Sequence, residues 1–378
     1  YKHTDNKFYA LIDPNYAPST APFLSLEVAD GESKTTEKYT TTPTTFVAGK
    51  SYTYKLTVGK NKISVSGISV TPWNTGTITD NGKAERVPPY VTFKADAEQT
   101  FKMITEGDYT ISGLEYSVNG GDWKTVVAGG DGITFGGTNG DLRLRGTNPK
   151  GTATDYNNYS NITFTKNVNV ACTGDIRTLL NWKYYDTVDT QNARFNMLFY
   201  NCGVLTSAPD LPATKLADIC YLSMFQGCTN LYTAPELPAT KLAEYCYNSM
   251  FLGCTSLTSA PELKATELAE NCYSHMFCDC RSLQKAPSLS AETLASGCYK
   301  YMFKECTNLS SATMLAPSNQ IFKKCIRDWL IEAGTKEGIT RTLIVKDEAA
   351  YNALVDYLPD DWKKGAAGTT VQYGIKNE

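Results

Sequence analysis

Cysteine and histidine carry the most specific chemistry in this 378-residue sequence, which has twelve of the first and two of the second. Nine of the cysteines fall into two series that advance by 26 residues, Cys202, Cys228, Cys254, Cys280 and Cys306, then Cys220, Cys246, Cys272 and Cys298. Cysteine is a small, readily buried side chain, so a repeated inward position is accounted for by packing before metal or redox chemistry is invoked. Disulfides between successive copies stay open, since they require only α-carbons within about 7 Å. Cys278-x-Cys280 beside His275 suggests zinc at first sight. Structural zinc needs two paired elements at defined spacing, and Cys280 already belongs to the repeat, so no metal or cofactor is called for.

Catalysis has little to work with. His3 and His275 leave no Ser-His or Cys-His pair, and no phosphate loop, H-E-x-x-H or G-x-S-x-G is present. Paired carboxylates among 39 acidic residues stay open, but a non-enzymatic chain is expected. Gly136-Gly137-Thr138-Asn139-Gly140-Asp141 has the look of one calcium-binding nonapeptide, yet one copy builds no site, so a hairpin turn is expected. A net charge of -3 gathers neither nucleic acid nor an anionic membrane surface. No apolar run approaches the roughly 20 residues of a transmembrane helix. Tyr1-Lys2-His3 starts no signal pattern, which reads as a mature or trimmed product.

The elements that must position these residues follow from the same period. Met224-Phe225, Met250-Phe251, Met276-Phe277 and Met302-Phe303 head copies of M-F-x-x-C-x-x-L, preceded by Leu198-Phe199. A fixed period of this size means stacked units that bury their apolar sides against their neighbours. Leu242, Cys246 and Met250, with Ala243, Tyr247 and Phe251, stand four apart and predict a short helix, begun at Thr240 and stopped at Gly253. Leu257 to Leu263 predicts a short strand that Pro261 disturbs. A curved solenoid with a parallel sheet on one face results, its first rung covered by Asp175 to Phe195. At the other end Asn319 to Ala333 predicts a helix, followed by a strand over 341–345, a helix over 348–358 and a strand near 369–374.

Before the repeat the alternation has period two, at Val91, Phe93 and Ala95, at Leu114, Tyr116 and Val118, and at Leu142 and Leu144. Asn119-Gly120-Gly121-Asp122 predicts a hairpin. Four domains are expected: a β-sandwich over 1–86, a second over 87–174, a leucine-rich-repeat-like solenoid over 175–317, and an α/β cap over 318–378. The fold class is mainly β with an α/β solenoid. Around the short strands lie variable polar positions, Tyr232 and Thr233, Thr258 and Ser259, Gln284 and Lys285, with Glu236 and Glu262 before the closing leucines. Rungs about 5 Å apart turn these into ladders over an open face, the candidate binding surface.

Two resemblances add to this reading. Phe8-Tyr9-Ala10-Leu11-Ile12-Asp13-Pro14, then Phe46 to Val58 and the closing Thr71-Pro72-Trp73, resemble the C-terminal part of the fimbrillin-like pilins and surface lipoproteins of Bacteroidales. The repeat resembles BspA-type leucine-rich repeats, whose usual unit has A-F in place of M-F and a shorter period. Fimbrillins have two β-sandwich domains, most of the first of which would precede Tyr1. The resemblance therefore implies a truncated sandwich, or a groove that accepts a strand from a neighbouring pilus subunit. It implies a non-enzymatic cell-surface or pilus-tip adhesin, extracellular and associated with the outer membrane, whose partners are other pilus subunits and a host matrix protein or glycan. A tip position is expected because the segment after Trp73 leads into further modules and the tail after Gly374 is too short to donate a strand. A structural spacer or assembly subunit is the alternative, and a glycan- or peptide-degrading enzyme with accessory repeats is a third reading.

Overall fold

The computed structural model describes residues 87–374 in full, and before them four strands by their backbone alone. The chain divides into two compact units, Tyr1–Val87 and Pro88–Glu378. In the first, β1 (Leu24–Asp30) pairs antiparallel with β2 (Ser33–Tyr39), and β3 (Lys50–Gly59) with β4 (Lys62–Pro72). The β3–β4 ladder passes from Val65 to Gly67 and skips Ser66. That one-residue bulge is where the sequence alternation shifts phase, from Ile63 and Val65 to Ile68 and Val70. The motifs at Phe8–Pro14, Phe46–Gly49 and Trp73, with His3, lie outside the described residues.

The second unit begins with eight short strands: β5 (Val91–Lys94), β6 (Gln99–Glu106), β7 (Leu114–Val118), β8 (Lys124–Thr125), β9 (Ile133–Phe135), β10 (Leu142–Gly146), β11 (Tyr159–Phe164) and β12 (Val170–Thr173). The order β12-β5-β10-β7-β8 makes one sheet and β11-β6-β9 another. The inward residues of the period-two pattern meet between them, with Phe93 lying 6.0 Å from Phe101 and 5.4 Å from Phe164. Gln99 is fully buried yet satisfied, its amide donating to the Lys166 and Val168 carbonyls and accepting from the Lys166 N–H. The Asn119–Asp122 connection is the expected hairpin, joining β7 to β8. The Gly136–Asp141 segment is a tight turn but no hairpin. It leads from β9 in the smaller sheet to β10 in the larger, and so forms a corner between the two sheets.

The repeats form a stack in which the expected helices are absent. The residues 218–228 and their equivalents run instead as linked turns, with positive φ at every fourth residue: Ile219, Ser223 and Gly227, then Tyr245, Ser249 and Gly253, then Asn271, His275 and Asp279. Backbone donors alternate along this ribbon. Tyr221, Ser223 and Phe225 donate to Cys246, Asn248 and Met250 of the next rung, while Met224 and Cys228 donate three residues back to Tyr221 and Phe225. An α-helix would consume every donor internally and leave none for a neighbouring rung. Each non-glycine residue held left-handed costs roughly 1–2 kcal/mol, which the bonds between rungs offset. At Gly227 the demand is steric as well, since a Cβ there would lie 2.2 Å from Asn201 Oδ1.

Inside the ribbon the side chains stack in register. Phe199, Phe225, Phe251, Phe277 and Phe303 have successive centroids 5.3, 5.7, 5.6 and 5.8 Å apart with nearly parallel rings. Tyr221, Tyr247, Tyr273 and Tyr299 form a second column. Offset ring pairs add about 0.5–1.5 kcal/mol each beyond their buried area. The segment predicted as a helix over 319–333 keeps one turn, α1 (Lys323–Ile326), and then continues the ribbon. Phe303 donates to the Trp329 carbonyl there, and Asp328 and Glu332 take positive φ.

The opposite side of each rung is looser. β13 (Leu205–Ser207) joins the larger sheet by parallel pairing with β12, so the first rung grows directly from the sheet before it. The middle rungs hold single bridges such as Thr233 to Ser259. Regular pairing resumes with β14 (Lys285–Leu289), β15 (Ser311–Met314), β16 (Arg341–Val345) and β17 (Thr369–Tyr373), all parallel. Between the last two lies α2 (Glu348–Leu354), capped by the Asp347 carboxylate on the Ala350 N–H. The continuous parallel sheet expected on one face thus exists only toward the two ends; the repeat's proline does not by itself prevent pairing, since Pro287 lies within β14 and costs only a register shift.

Candidate binding surface

The ladder of variable residues lies on this looser side. Tyr232, Thr233, Glu236, Thr258, Ser259, Glu262, Gln284 and Lys285 are all exposed. Successive rungs bring them together: the Thr258 N–H and hydroxyl both donate to the Tyr232 carbonyl at 3.3 Å, and the Ser310 N–H reaches the Gln284 carbonyl at 2.8 Å. The Tyr232 ring is 50% exposed. Lys264 Nζ stands 3.9 Å from a Glu262 carboxylate that is 77% exposed, a loose pair that leaves the carboxylate open to solvent. These residues make a shallow polar surface with one aromatic ring. It can hydrogen-bond a partner, and nothing in it arranges a nucleophile beside a base.

The cysteines have a defined role beneath it. Cys228, Cys254 and Cys280 each donate their thiol at 3.1 Å to the carbonyl of Phe199, Phe225 and Phe251, one rung back. All twelve are free and buried. Burial pushes most of the thiols up, Cys202 and Cys272 to about 12 and Cys278 to about 11, whereas the hydrogen bond with Cys298 lowers Cys325. His275, three residues before Cys278, instead shares a hydrogen bond between Nδ1 and Ser274 Oγ at 2.9 Å and lays its ring on Tyr301 at 4.8 Å. Its pKa is lowered by burial and then by Lys300 and Lys304.

Two features of the first sheets were not singled out in the sequence. Arg145 alternates with leucines as an outward polar residue, and its guanidinium lies between Trp123 at 4.1 Å and Trp182 at 4.3 Å, with Glu115 on its Nε at 2.7 Å. A cleft of about 380 Å³ is lined by Asp108, Tyr109, Asn148, Lys150 and Asn158. Its members come from three separate segments, so no local motif announces it. Tyr109 is held in its wall by a hydroxyl bond to the Gly151 carbonyl.

The architecture is mainly β, with several sheets and few helices. Residues 2–73 match the family model described as fimbrillin-like, and this match suggests a pilin-type subunit, at the cell surface or in a fimbrium, that interacts with other pilus subunits. No curated protein and no solved structure matches the chain. Among the described residues no helix is long and apolar enough to cross a membrane.

Proposed function

We propose that the chain is a non-enzymatic adhesin of the pilus or cell surface, joined to a fimbrial base by strand addition and presenting its repeats, a BspA-type leucine-rich solenoid, to the partner. The carrying observation is the coexistence in one chain of fimbrillin-like sequence over residues 2–73 and a stack whose variable side chains are exposed while its inward ones are invariant between rungs. The four-domain division drawn from the sequence belongs to this reading. So do outer-membrane association and a host matrix protein or glycan as partner. A tip position follows because the chain continues from β4 into other modules, which occupies the usual end of the fimbrillin unit. The test mixes the protein with processed shaft subunits. It should join fibres at one end and stop elongation, and label along their length would refute the tip position.

A further inference from the structure

The turn side of the stack carries a second surface with the opposite character. The inward residues of the ribbon barely change between rungs, but the charge of its outward residues changes sign. Over 218–227, 244–253 and 270–279 the only full charges are acidic, Asp218, Glu244, Glu270 and Asp279, whereas 296–305 carries Lys300 and Lys304 against Glu305, and 323–332 carries Lys323, Lys324 and Arg327 against Asp328 and Glu332. The stack brings the changed positions to one point: His275 and Tyr301 are equivalent residues of successive rungs, and because the last rung is one residue longer, Arg327 stands at the position of Lys300.

Tyr301 is the centre of that point. Its half-buried ring has Lys300 Nζ at 5.4 Å, Arg327 Cζ at 5.8 Å, Lys304 Nζ at 6.0 Å and the His275 ring at 4.8 Å. Much of the hydrogen-bonding capacity here is unused. Lys304 pairs with Glu305 at 3.0 Å and Arg327 with Asp328 through Nε at 3.3 Å, leaving the guanidinium's outer nitrogens open. Exposed pairs of this kind are weakly held. Lys300 has no carboxylate partner among the described residues, and His275 uses only Nδ1. Three cations crowded on one ring repel one another, and an anion set among them relieves that repulsion while accepting charge-assisted bonds. The flat ring beside them suits the C–H face of a sugar, as amphipathic rings do at interfaces.

We propose that Tyr301, with Lys300, Lys304, Arg327 and His275, forms a binding site for an anionic saccharide, its carboxylate or sulfate among the cations and its ring on Tyr301. The site is separate from the Tyr232 face, and does not depend on the pilus assignment. The test titrates the full chain with a sulfated octasaccharide, a hexuronate oligosaccharide, a neutral oligosaccharide of equal length and inorganic sulfate. One or both anionic saccharides should bind, and Lys300→Gln and Tyr301→Ala should each weaken that binding about tenfold or more without lowering the unfolding temperature. The His275 titration, followed by NMR, should move upward on binding, because the added negative charge opposes Lys300 and Lys304. Binding of neither anionic saccharide overturns the proposal, as does equal affinity for the neutral one or for bare sulfate. Undiminished binding by both variants, or an unmoved His275 titration, does so as well.

Discussion

The two sides of a rung obey different rules. On the turn side every second backbone N–H crosses to the neighbouring rung, and the rings of Phe225, Phe251 and Phe277 stack within 6 Å of one another. Outside the ribbon the middle rungs share isolated bridges, Thr233–Ser259, Lys241–Glu267 and Glu267–Thr293, and scattered bonds such as those from Thr258 to Tyr232. Register is therefore specified by the ribbon, and the looser side is free to vary its side chains without unstacking the molecule. An open polar face is tolerated where another face already fixes the geometry.

The sharpest way to break this contrast is to excavate the ribbon. Phe251→Ala removes a fully buried ring stacked on both faces, and should cost about 3–5 kcal/mol in denaturant unfolding. Tyr232→Ala, on the exposed side, should stay within about 0.5 kcal/mol. Comparable losses at both positions would erase the distinction.

A second prediction uses the thiols of the ribbon. Unfolded thiols titrate near 9, and burial raises Cys202 and Cys272 to about 12 in the fold. Above pH 9 the unfolded chain releases protons that the folded chain retains, so unfolding gains free energy as pH rises. The contribution is fully present below about pH 8 and is lost progressively between 9 and 12. Thermal unfolding under reductant should show a midpoint steady from pH 7 to 8 that falls above 9. The same burial should keep the thiols of the two cysteine columns, Cys202 to Cys306 and Cys220 to Cys298, unreactive toward alkylation until the chain unfolds, when they become free to react. Few titratable thiols in the unfolded, non-reduced protein would contradict the packing account.

The smallest expected effect concerns function. Changing Tyr232, Thr233 and Glu236 together should weaken attachment to matrix or glycan surfaces and leave the unfolding temperature where it was. Unchanged attachment would move recognition off this side of the rung.

Much of this contrast was legible in the sequence, and its error is instructive. The period placed the cysteine columns, the Met-Phe columns and the polar ladder. Period-two alternation placed β5, β7 and β10. The spacing of Leu242, Cys246 and Met250 was read as helical, yet a helix drifts against a repeat of four, and these columns do not drift. The available signal lay on the outward positions: Gly227, Gly253, Asn271, Asp279 and Gly297 are residues that tolerate positive φ, and each falls on its rung's four-residue series of positive-φ positions. The Tyr301 cluster escaped notice because its members come from three rungs and break the consensus at positions read simply as variable. Pro261 pointed to a disturbed strand, and the middle rungs hold only isolated bridges there, although the equivalent Pro287 lies within β14.

Amide hydrogen exchange tests the central claim most directly, because it reads both sides of one rung in the same molecule. The N–H groups of Phe225, Phe251 and Phe277, which bridge rungs on the turn side, should exchange only with global unfolding. The Thr258 N–H, which bridges rungs on the other side, should exchange through local opening, at least a hundredfold faster, or about 2.8 kcal/mol less protected. Equal protection of the two sets, or faster exchange at the phenylalanines, would contradict the assignment of register to the ribbon.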